Sequence, residues 1–330
     1  MKASEITAVI DASVGNPQSV PALFIWGGPG VGKSSVVKQV ADQHKIGFID
    51  IRLLLLDPTD LRGIPVPEDG YAKWLAPSFL PRDGSGILHL DELNRAPVLT
   101  QNSALQLVLD RRVGEYELPE GWVIIAAGNR EMEAFVHRMD PALLNRFVHL
   151  EFEVDLDEWV RWANAHDINP VVIGLLSHFR PNLLYQFDKS KKSFPTPRSW
   201  QFVSEVLGMG LSPQITNELV QGSVGQGAAI ELSTYMKIWQ ELPNLDRILA
   251  GEDIIPKTVD IIYACCVGLV SKAKVQANYD RLLKYSMKLN REFTVFLIKM
   301  LFGKDREKCV KSKSWAEVSK VLVKDDKVLG

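Results

Sequence analysis

The sequence predicts an α/β protein in which a five-stranded parallel sheet carries helices on both faces and is followed by a region of helices alone. Three observations support this prediction. Apolar segments alternate with helical ones over residues 1–154, a glycine-rich loop joins the first apolar segment to a helix, and strand-like segments end near residue 155. Strands of a parallel sheet read as continuous apolar runs because helices cover both faces. The 330 residues are 46% hydrophobic and 24% charged, which is ordinary for a globular chain of about two domains.

The elements of the first region have recognisable boundaries. Residues 3–14 have apolar side chains at helical spacing, and Asn16-Pro17 ends that helix. Helices are expected over residues 35–44 and 99–110. The predicted strands are residues 22–26, 47–53, 86–91, 122–128 and 147–152. Ligands of such sheets bind beyond the carboxyl ends of the strands, so the residues after these strands are expected to meet at one site.

The second region shows helical patterns only. Helices are expected over residues 171–178, 199–209, 216–220 and 228–239. Residues 180–197, rich in Pro, Lys and Ser, are expected to form a long loop. An apolar stripe at helical spacing over residues 289–300 is expected in the core. The sequence thus indicates an α/β domain over residues 1–154, a helical domain over residues 155–250 and a helical extension over residues 251–330.

Charge is distributed unevenly along the chain. The net charge is −2, but residues 271–330 contain 15 Lys+Arg and 7 Asp+Glu, a local net charge of +8. Such a tail can contact nucleic acid or an acidic partner, or it can be a solvated helical face. The three cysteines form no disulfide or zinc pattern. The longest uncharged apolar stretch, residues 261–271, is too short to span a membrane. A cytoplasmic protein without membrane contact is expected.

A phosphate-binding loop follows the first predicted strand. Residues 27–34 read GGPGVGKS and fit the pattern G-x-x-x-x-G-K-[ST]. Loop amides and the helix N-terminus that follows form an anion cradle, in which Lys33 reaches the β- and γ-phosphates and Ser34 holds Mg²⁺. The residues expected to contact the nucleotide are Gly28, Pro29, Gly30, Val31, Gly32, Lys33, Ser34 and Ser35.

Two carboxylates end a later strand. The run ILHL over residues 87–90 leads directly into Asp91 and Glu92. Unpaired charge at the end of a buried strand is costly, and a Mg²⁺-nucleotide would offset that cost. Asp91 is expected to lie beside Ser34 in the outer coordination sphere of the Mg²⁺ ion, and Glu92 is expected to polarise the attacking water. Asn129, which follows the next strand, can position the same water or contact the γ-phosphate, although an Asn at such a place is commonly a turn residue.

Together these motifs resemble the AAA+ ATPases, and among them the MoxR-like group. Residues 27–34 are similar to Walker A and residues 88–92 to Walker B, and the run DELNRA over residues 91–96 looks like the characteristic MoxR-like sequence. Residues 126–129 resemble the sensor-1 strand. The resemblance covers residues 5–240 and implies a five-stranded P-loop AAA+ sheet, a helical lid domain, ATP and Mg²⁺.

Two further segments carry arginines that the resemblance assigns to catalysis. Residues 141–147 look like the segment that ends in an arginine finger, with Arg146 as the finger and Asn145 where the family usually has Asp. The resemblance implies that Arg146 reaches a neighbour's nucleotide, in a ring of six. Arg130 and Arg138 are alternatives for this role, and Arg146 could instead form a structural ion pair. Residues 195–199 are similar to the sensor-2 element, with Arg198 as its arginine and Thr196 in place of the usual Ser.

Three functions remain open at this level. The first is an ATP-driven, chaperone-like motor of the MoxR type that remodels or activates a protein complex, often beside a partner with a von Willebrand factor A domain. Insertions over residues 60–81 and 111–121 are the expected contacts, unless they are only a surface loop and a hairpin. The second is a nucleic-acid-directed AAA+ ATPase such as a helicase loader, which the basic tail favours. The third is a nucleotide-binding switch with negligible turnover, against which the intact Glu92 argues.

Overall fold

The computed structural model describes residues 1–130 and 139–322, which divide into two compact units at residues 154 and 155. The elements of the first unit, in chain order, are α1 Ala3–Gly15, β1 Ala22–Trp26, α2 Lys33–His44, β2 Gly47–Arg52, α3 Pro58–Arg62, β3 Ile64–Glu68, β4 Tyr71–Leu75, β5 Ser85–Asp91, α4 Val98–Asp110, β6 Arg112–Val113, β7 Tyr116–Glu117, β8 Gly121–Gly128, α5 Pro141–Leu144 and β9 Phe147–Glu151. Short 3₁₀ turns follow β2 and β5.

The five predicted strands form one parallel sheet with the order β2-β5-β8-β1-β9. Their bounds agree with the predicted ones to within about one residue, which is the usual uncertainty at element ends. The order places β5 and β8 directly beside each other, and β1 on the other side of β8. The carboxyl ends of β1, β5 and β8 therefore lie side by side, as the position of a common site requires.

Helices pack on both faces of this sheet. On one face α2 contacts β2, β5 and β8, and α1 packs against α2. On the other face lies a core of apolar side chains from the sheet and from α3 and α4, among them Leu61, Leu88, Leu90, Ala104 and Ile124. Alternate residues of a strand point to opposite faces, so His89 and Asp91 of β5 lie on the α2 face. The predicted fold class is confirmed.

Two small hairpins extend from the first unit. The expected hairpin before β8 is present as β6 and β7. The expected insertion over residues 60–81 contains an unpredicted hairpin of β3 and β4, with Pro65 and Pro67 in β3. A two-stranded edge hairpin tolerates both prolines. Its turn is Asp69-Gly70, with φ values of 49° and 79°, and an Asp-Gly pair between two short segments is a hairpin signal that the sequence did contain.

The second unit is helical throughout its described part. Its elements are α6 Leu156–Ala165, α7 Pro170–Gly174, a π-helical turn Leu175–Phe179, a 3₁₀ turn Pro181–Leu183, α8 Pro197–Gly208, α9 Pro213–Val224, α10 Gln226–Gln240, α11 Leu245–Leu249, α12 Val259–Lys272, α13 Gln276–Ser286, α14 Arg291–Lys304, α15 Arg306–Lys311 and α16 Trp315–Leu322. The stripe over residues 289–300 is largely buried, as expected. None of the helices in the described ranges has the length and apolar character that a bilayer crossing requires.

The helices before and after residue 250 pack against each other within this unit, with α12 contacting α7 and α10 and α14 contacting α6. Cys265, Cys266 and Cys309 are buried and free. The division into a lid domain over residues 155–250 and an extension over residues 251–330 stays a prediction.

Candidate functional site

The phosphate loop lies between β1 and α2, and α2 begins at Lys33. Gly30 and Gly32 have φ values of 73° and 108°, a backbone conformation that favours glycine and lets the loop turn sharply. The Lys33 ammonium donates to the carbonyl oxygens of Gly27 and Gly28 at 2.8 and 3.0 Å, and to Asn129 Oδ1 at 2.9 Å. The loop is thus tied to the end of β8.

A second contact ties the loop helix to β5. The Ser34 hydroxyl donates to Asp91 Oδ2 at 2.9 Å. The other oxygen of this carboxylate, Oδ1, accepts from the Glu92 backbone N–H at 2.9 Å. A hydroxyl and a carboxylate oxygen at one place are the ligand types that a hard Mg²⁺ ion prefers. The residues present therefore fit a Mg²⁺-nucleotide, which Ser34 and Asp91 would hold.

Glu92 lies just beyond β5 in a strained conformation, with a φ of 55°. Left-handed backbone at a non-glycine residue is uncommon and is found disproportionately at functional sites. The Glu92 carboxylate accepts a hydrogen bond from Arg95 at 2.6 Å, and both side chains are roughly one-third exposed. The Glu92 carboxylate is therefore accessible to solvent near the phosphate loop, and its ion pair with Arg95 restrains its position.

Asn94 connects the acidic turn to the end of β8. Its Nδ2 donates to the backbone oxygen of Asn129 at 2.6 Å. Its side chain also packs on Gly128, where an added Cβ would lie 2.6 Å from Asn94 Oδ1 and 2.9 Å from a Phe24 ring carbon. This packing leaves no room for a side chain at residue 128. Asn94 and Gly128 therefore hold Asn129 in place, a role for which the sequence reading offered no argument.

This close approach makes Gly128→Ala a test of the packing under the site. The free energy of unfolding is expected to fall by about 1–3 kcal/mol, because the neighbours that the methyl group meets are held in a packed core. Urea denaturation followed by circular dichroism measures this change. Gly15→Ala is the matched control, since a Cβ there meets nothing within 4 Å, and it should leave stability unchanged or raise it by up to about 1 kcal/mol. Equal stability of the two variants would contradict the described packing.

The three candidate finger arginines differ in their surroundings. Arg146 follows α5, is exposed, and makes no side-chain hydrogen bond or ion pair with the described part of the chain. Arg130 pairs with Glu151 at 3.1 Å, and Arg138 lies outside the described residues. The structural ion pair considered for Arg146 is therefore absent among the described residues.

Arg198 belongs to the second unit and is exposed at the second position of α8. Thr196 is the N-cap of that helix and accepts from the Ser199 backbone N–H at 3.0 Å, while Ser199 Oγ accepts from the Thr196 N–H at 2.8 Å. Thr in the place of the family's usual Ser thus still caps the helix.

Two site residues were missed by the sequence reading. His89 precedes Asp91 on the α2 face of β5, and Asp50 lies opposite His89 on the neighbouring strand β2. Burial lowers the pKa of His89. Burial raises the pKa of Asp50, although the nearby His89 lowers it in part. A histidine inside an otherwise apolar strand was the available signal, but the pairing with Asp50 depends on the strand order.

Comparison with known proteins identifies the first unit. Residues 23–154 match the family model of the ATPase family associated with various cellular activities (AAA). Replication factor C subunit 3 of Blastobotrys adeninivorans is 24% identical over 218 residues, which are 66% of this chain and 60% of that protein. The match thus spans less than two thirds of that relative.

Solved structures of low similarity were also found. The RuvB Holliday junction branch migration motor of Thermotoga maritima is 14% identical, covers 81% of this chain and 80% of its own, and has a TM-score of 0.40. NtrX of Brucella abortus is 18% identical, covers 97% of this chain and 67% of its own, and has a TM-score of 0.35. TM-scores below 0.5 give these similarities no weight for function.

Proposed function

The chain contains an AAA ATPase domain over residues 23–154 and is an ATPase, and from this premise we propose that it is a ring-forming motor of the MoxR type. In this proposal ATP hydrolysis drives the remodelling or activation of a protein complex. The observation that carries the proposal is the meeting of Lys33, Asn129, Ser34 and Asp91 at one edge of the sheet, beside Glu92. The complete set argues for turnover and against a passive nucleotide switch.

The residues of the loop would bind the nucleotide. Lys33 is the cation for the β- and γ-phosphates, and the N-terminus of α2 adds positive partial charge. Ser34 and Asp91 would hold Mg²⁺, which neutralises charge on the phosphates when bound. Lys33 contacts the loop carbonyls and Asn129 in this structure, so phosphate oxygens would take over some of these acceptor positions.

Glu92 and Asn129 would act on the water molecule that attacks the γ-phosphate. Glu92 accepts a proton from the attacking water and orients it, and the Asn129 amide positions the same water or contacts the γ-phosphate. The role of Arg198 at the nucleotide stays a prediction of the sequence resemblance. Phosphoryl transfer depends on positioning and charge neutralisation more than on covalent chemistry, and these are what the named groups would supply.

Arg146 would complete the site of a neighbouring protomer. Its exposed side chain lacks an ion pair among the described residues and is therefore available to another subunit. An arginine supplied across an interface makes hydrolysis depend on assembly. We propose a homo-oligomeric ring, with six protomers as implied by the resemblance.

The two hairpins of the first unit supply a surface for a protein partner. The backbone N–H of Trp74 in β4 contacts Glu115 in the β6–β7 turn at 3.4 Å, so the two hairpins lie side by side. Ile64 and Tyr71 on the first hairpin are 70% and 81% exposed. Exposed apolar side chains of this size favour contact with a protein. A client complex, with a partner that has a von Willebrand factor A domain, is the proposed occupant.

A nucleic-acid-directed ATPase is the second candidate. The match to a replication factor subunit and the basic tail favour it. Within the described tail, however, Lys272 pairs with Asp246 and Lys311 with Glu307, as expected of a solvated helical face. This candidate predicts that DNA stimulates ATP hydrolysis and that the stimulation weakens steeply as salt increases.

Affinity capture with Glu92→Gln and ATP tests the proposal. The variant is expected to hold the assembled, ATP-bound ring together with its protein client, because hydrolysis no longer releases them. Light scattering gives the mass of the assembly, and mass spectrometry identifies retained proteins. Lys33→Ala is the control, since it removes the phosphate-binding cation and should retain neither ring nor client. A monomer in all samples would contradict the ring, and retention of DNA in place of protein would favour the second candidate.

A further inference from the structure

A second group of potential metal ligands lies on the α2 face of the sheet. Asp50, His89 and Asp91 each offer one ligand atom, and these atoms lie within 4.8 Å of one another. His89 and Asp91 are two residues apart on β5, and Asp50 is the partner of His89 in the β2–β5 register. The sheet itself thus brings the three side chains to one place.

The His89 ring is held by a hydrogen bond from one of its nitrogens, and the other nitrogen has no hydrogen-bond partner in the described chain. The side chain is completely buried, and its Nδ1 lies 3.1 Å from the backbone oxygen of Ile125. A carbonyl oxygen only accepts, so Nδ1 carries the proton and Nε2 carries a lone pair. Nε2 has no hydrogen-bond partner in the described chain. An unsatisfied buried polar atom costs about 1–3 kcal/mol, and this one needs a positive or proton-donating partner.

We propose that Asp50, His89 and Asp91 bind a divalent transition-metal ion, with His89 Nε2 as the nitrogen ligand. Ligating histidines commonly donate their other ring N–H to a backbone carbonyl, as His89 does to Ile125. One imidazole and two carboxylates suit Zn²⁺, Co²⁺ or Mn²⁺, whereas Mg²⁺ prefers oxygen alone. Metal–ligand distances of about 2.1 Å place ligand atoms about 3–3.5 Å apart, so small side-chain rotations close the site.

The ion has a path from solvent. About a third of the Asp50 side chain is exposed, so this carboxylate lies between the buried imidazole and water. Three protein ligands leave at least one coordination position for water, unlike the four protein ligands of a closed structural zinc site.

Asp91 links this site to ATP hydrolysis. The proposed function gives Asp91 to the Mg²⁺ of the nucleotide, and the present inference rests on that assignment for its regulatory consequence. One carboxylate that serves two ions in turn makes their binding antagonistic. Each ion then lowers the binding affinity of the other by the same factor, as thermodynamic linkage requires. A transition metal bound at this site would therefore lower the affinity for the Mg²⁺-nucleotide.

Cobalt binding without nucleotide tests the site directly. Co²⁺ is titrated into the nucleotide-free full-length protein, and its visible d–d absorption reports nitrogen and carboxylate coordination. His89→Leu and Asp50→Asn are expected to weaken binding at least about tenfold. His44→Ala is the matched control, because His44 also lies beside a carboxylate, Asp11, at 2.9 Å but on the surface, and it should bind Co²⁺ like the wild type. Thermal unfolding verifies that the variants fold.

The result can overturn the inference without touching the proposed function. Equal Co²⁺ affinity in wild type and His89→Leu would show that the imidazole is not a ligand, and a proton donated by Asp50 would then be the partner of Nε2. Failure of the wild type to bind Co²⁺ would have the same meaning. If the site is correct, Mg²⁺-ATP raises the Co²⁺ concentration needed for half-saturation in wild type. If Mg²⁺-ATP does not change the Co²⁺ affinity, the proposed antagonism between the two ions is wrong. If the protein does not bind ATP, the proposed function is wrong instead.

Discussion

Replacing Glu92 with glutamine is expected to lower ATP turnover by about 10²–10⁴-fold, the usual contribution of general acid–base catalysis, while ATP still binds. The amide keeps the size of the side chain and a hydrogen bond to the water, but it cannot take the proton. Arg95 contacts Glu92 at 2.6 Å, so the variant loses that ion pair as well. The pair is partly exposed, and its loss should cost little stability.

Phosphate release and ATP binding by calorimetry measure the two effects separately. Glu117→Gln is the matched control, because Glu117 also pairs with an arginine, Arg112, at 2.6 Å but lies on a hairpin. The control should keep wild-type basal turnover. Equal turnover in Glu92→Gln and wild type would remove Glu92 from its proposed role, and lost ATP binding would show that its charge supports the nucleotide site instead.

The parts of the fold that sequence could predict are those with local signals. The sheet strands are rich in apolar residues, and the phosphate loop requires a glycine pattern within eight residues. Asp91 and Glu92 were recognisable because charge follows directly on such a run. The meeting of Ser34 with Asp91 then follows from the rule that parallel strands end at one edge, since Ser34 lies in the first turn of the helix after β1.

The parts that sequence could not predict depend on which strands are neighbours. Asp50 and His89 are 39 residues apart in the chain, and only the β2–β5 pairing makes them partners. The contact of Asn94 with Asn129 requires β5 beside β8 in the same way. The β3–β4 hairpin was not predicted, although its Asp69-Gly70 turn is a local signal. Its two prolines are tolerated because an exposed hairpin leaves half of its N–H groups unpaired.

The functional side chains of the described site already form hydrogen bonds with one another or with the backbone. Lys33 uses carbonyl-type oxygens of the loop and of Asn129, Ser34 uses Asp91, and Glu92 uses Arg95. A nucleotide that enters must therefore exchange these contacts for its own. Because Asn129 and Asp91 end different strands, this exchange would reach two neighbouring strands at once. ATP binding would in this way change contacts at the carboxyl ends of β5 and β8.

Replacing Arg146 with alanine is expected to lower turnover by about 10³–10⁵-fold, the range known for an arginine supplied across an interface. ATP binding and folding should persist, because the exposed side chain forms no hydrogen bond or ion pair with the described part of its own chain. Phosphate release, ATP binding and thermal unfolding measure the three properties. Arg82→Ala, which removes another exposed arginine of the same unit, should leave all three unchanged.

Mixing two inactive variants decides whether Arg146 acts within its own chain or on a neighbour. Arg146→Ala protomers keep Glu92 and lack the finger, whereas Glu92→Gln protomers lack the base and keep the finger. In a mixed ring, a Glu92→Gln protomer can place its Arg146 in the intact site of an Arg146→Ala neighbour. Activity should therefore return on mixing and peak near equal amounts. If Arg146 served its own nucleotide, every protomer would carry one defect, and the mixture would stay as inactive as its components.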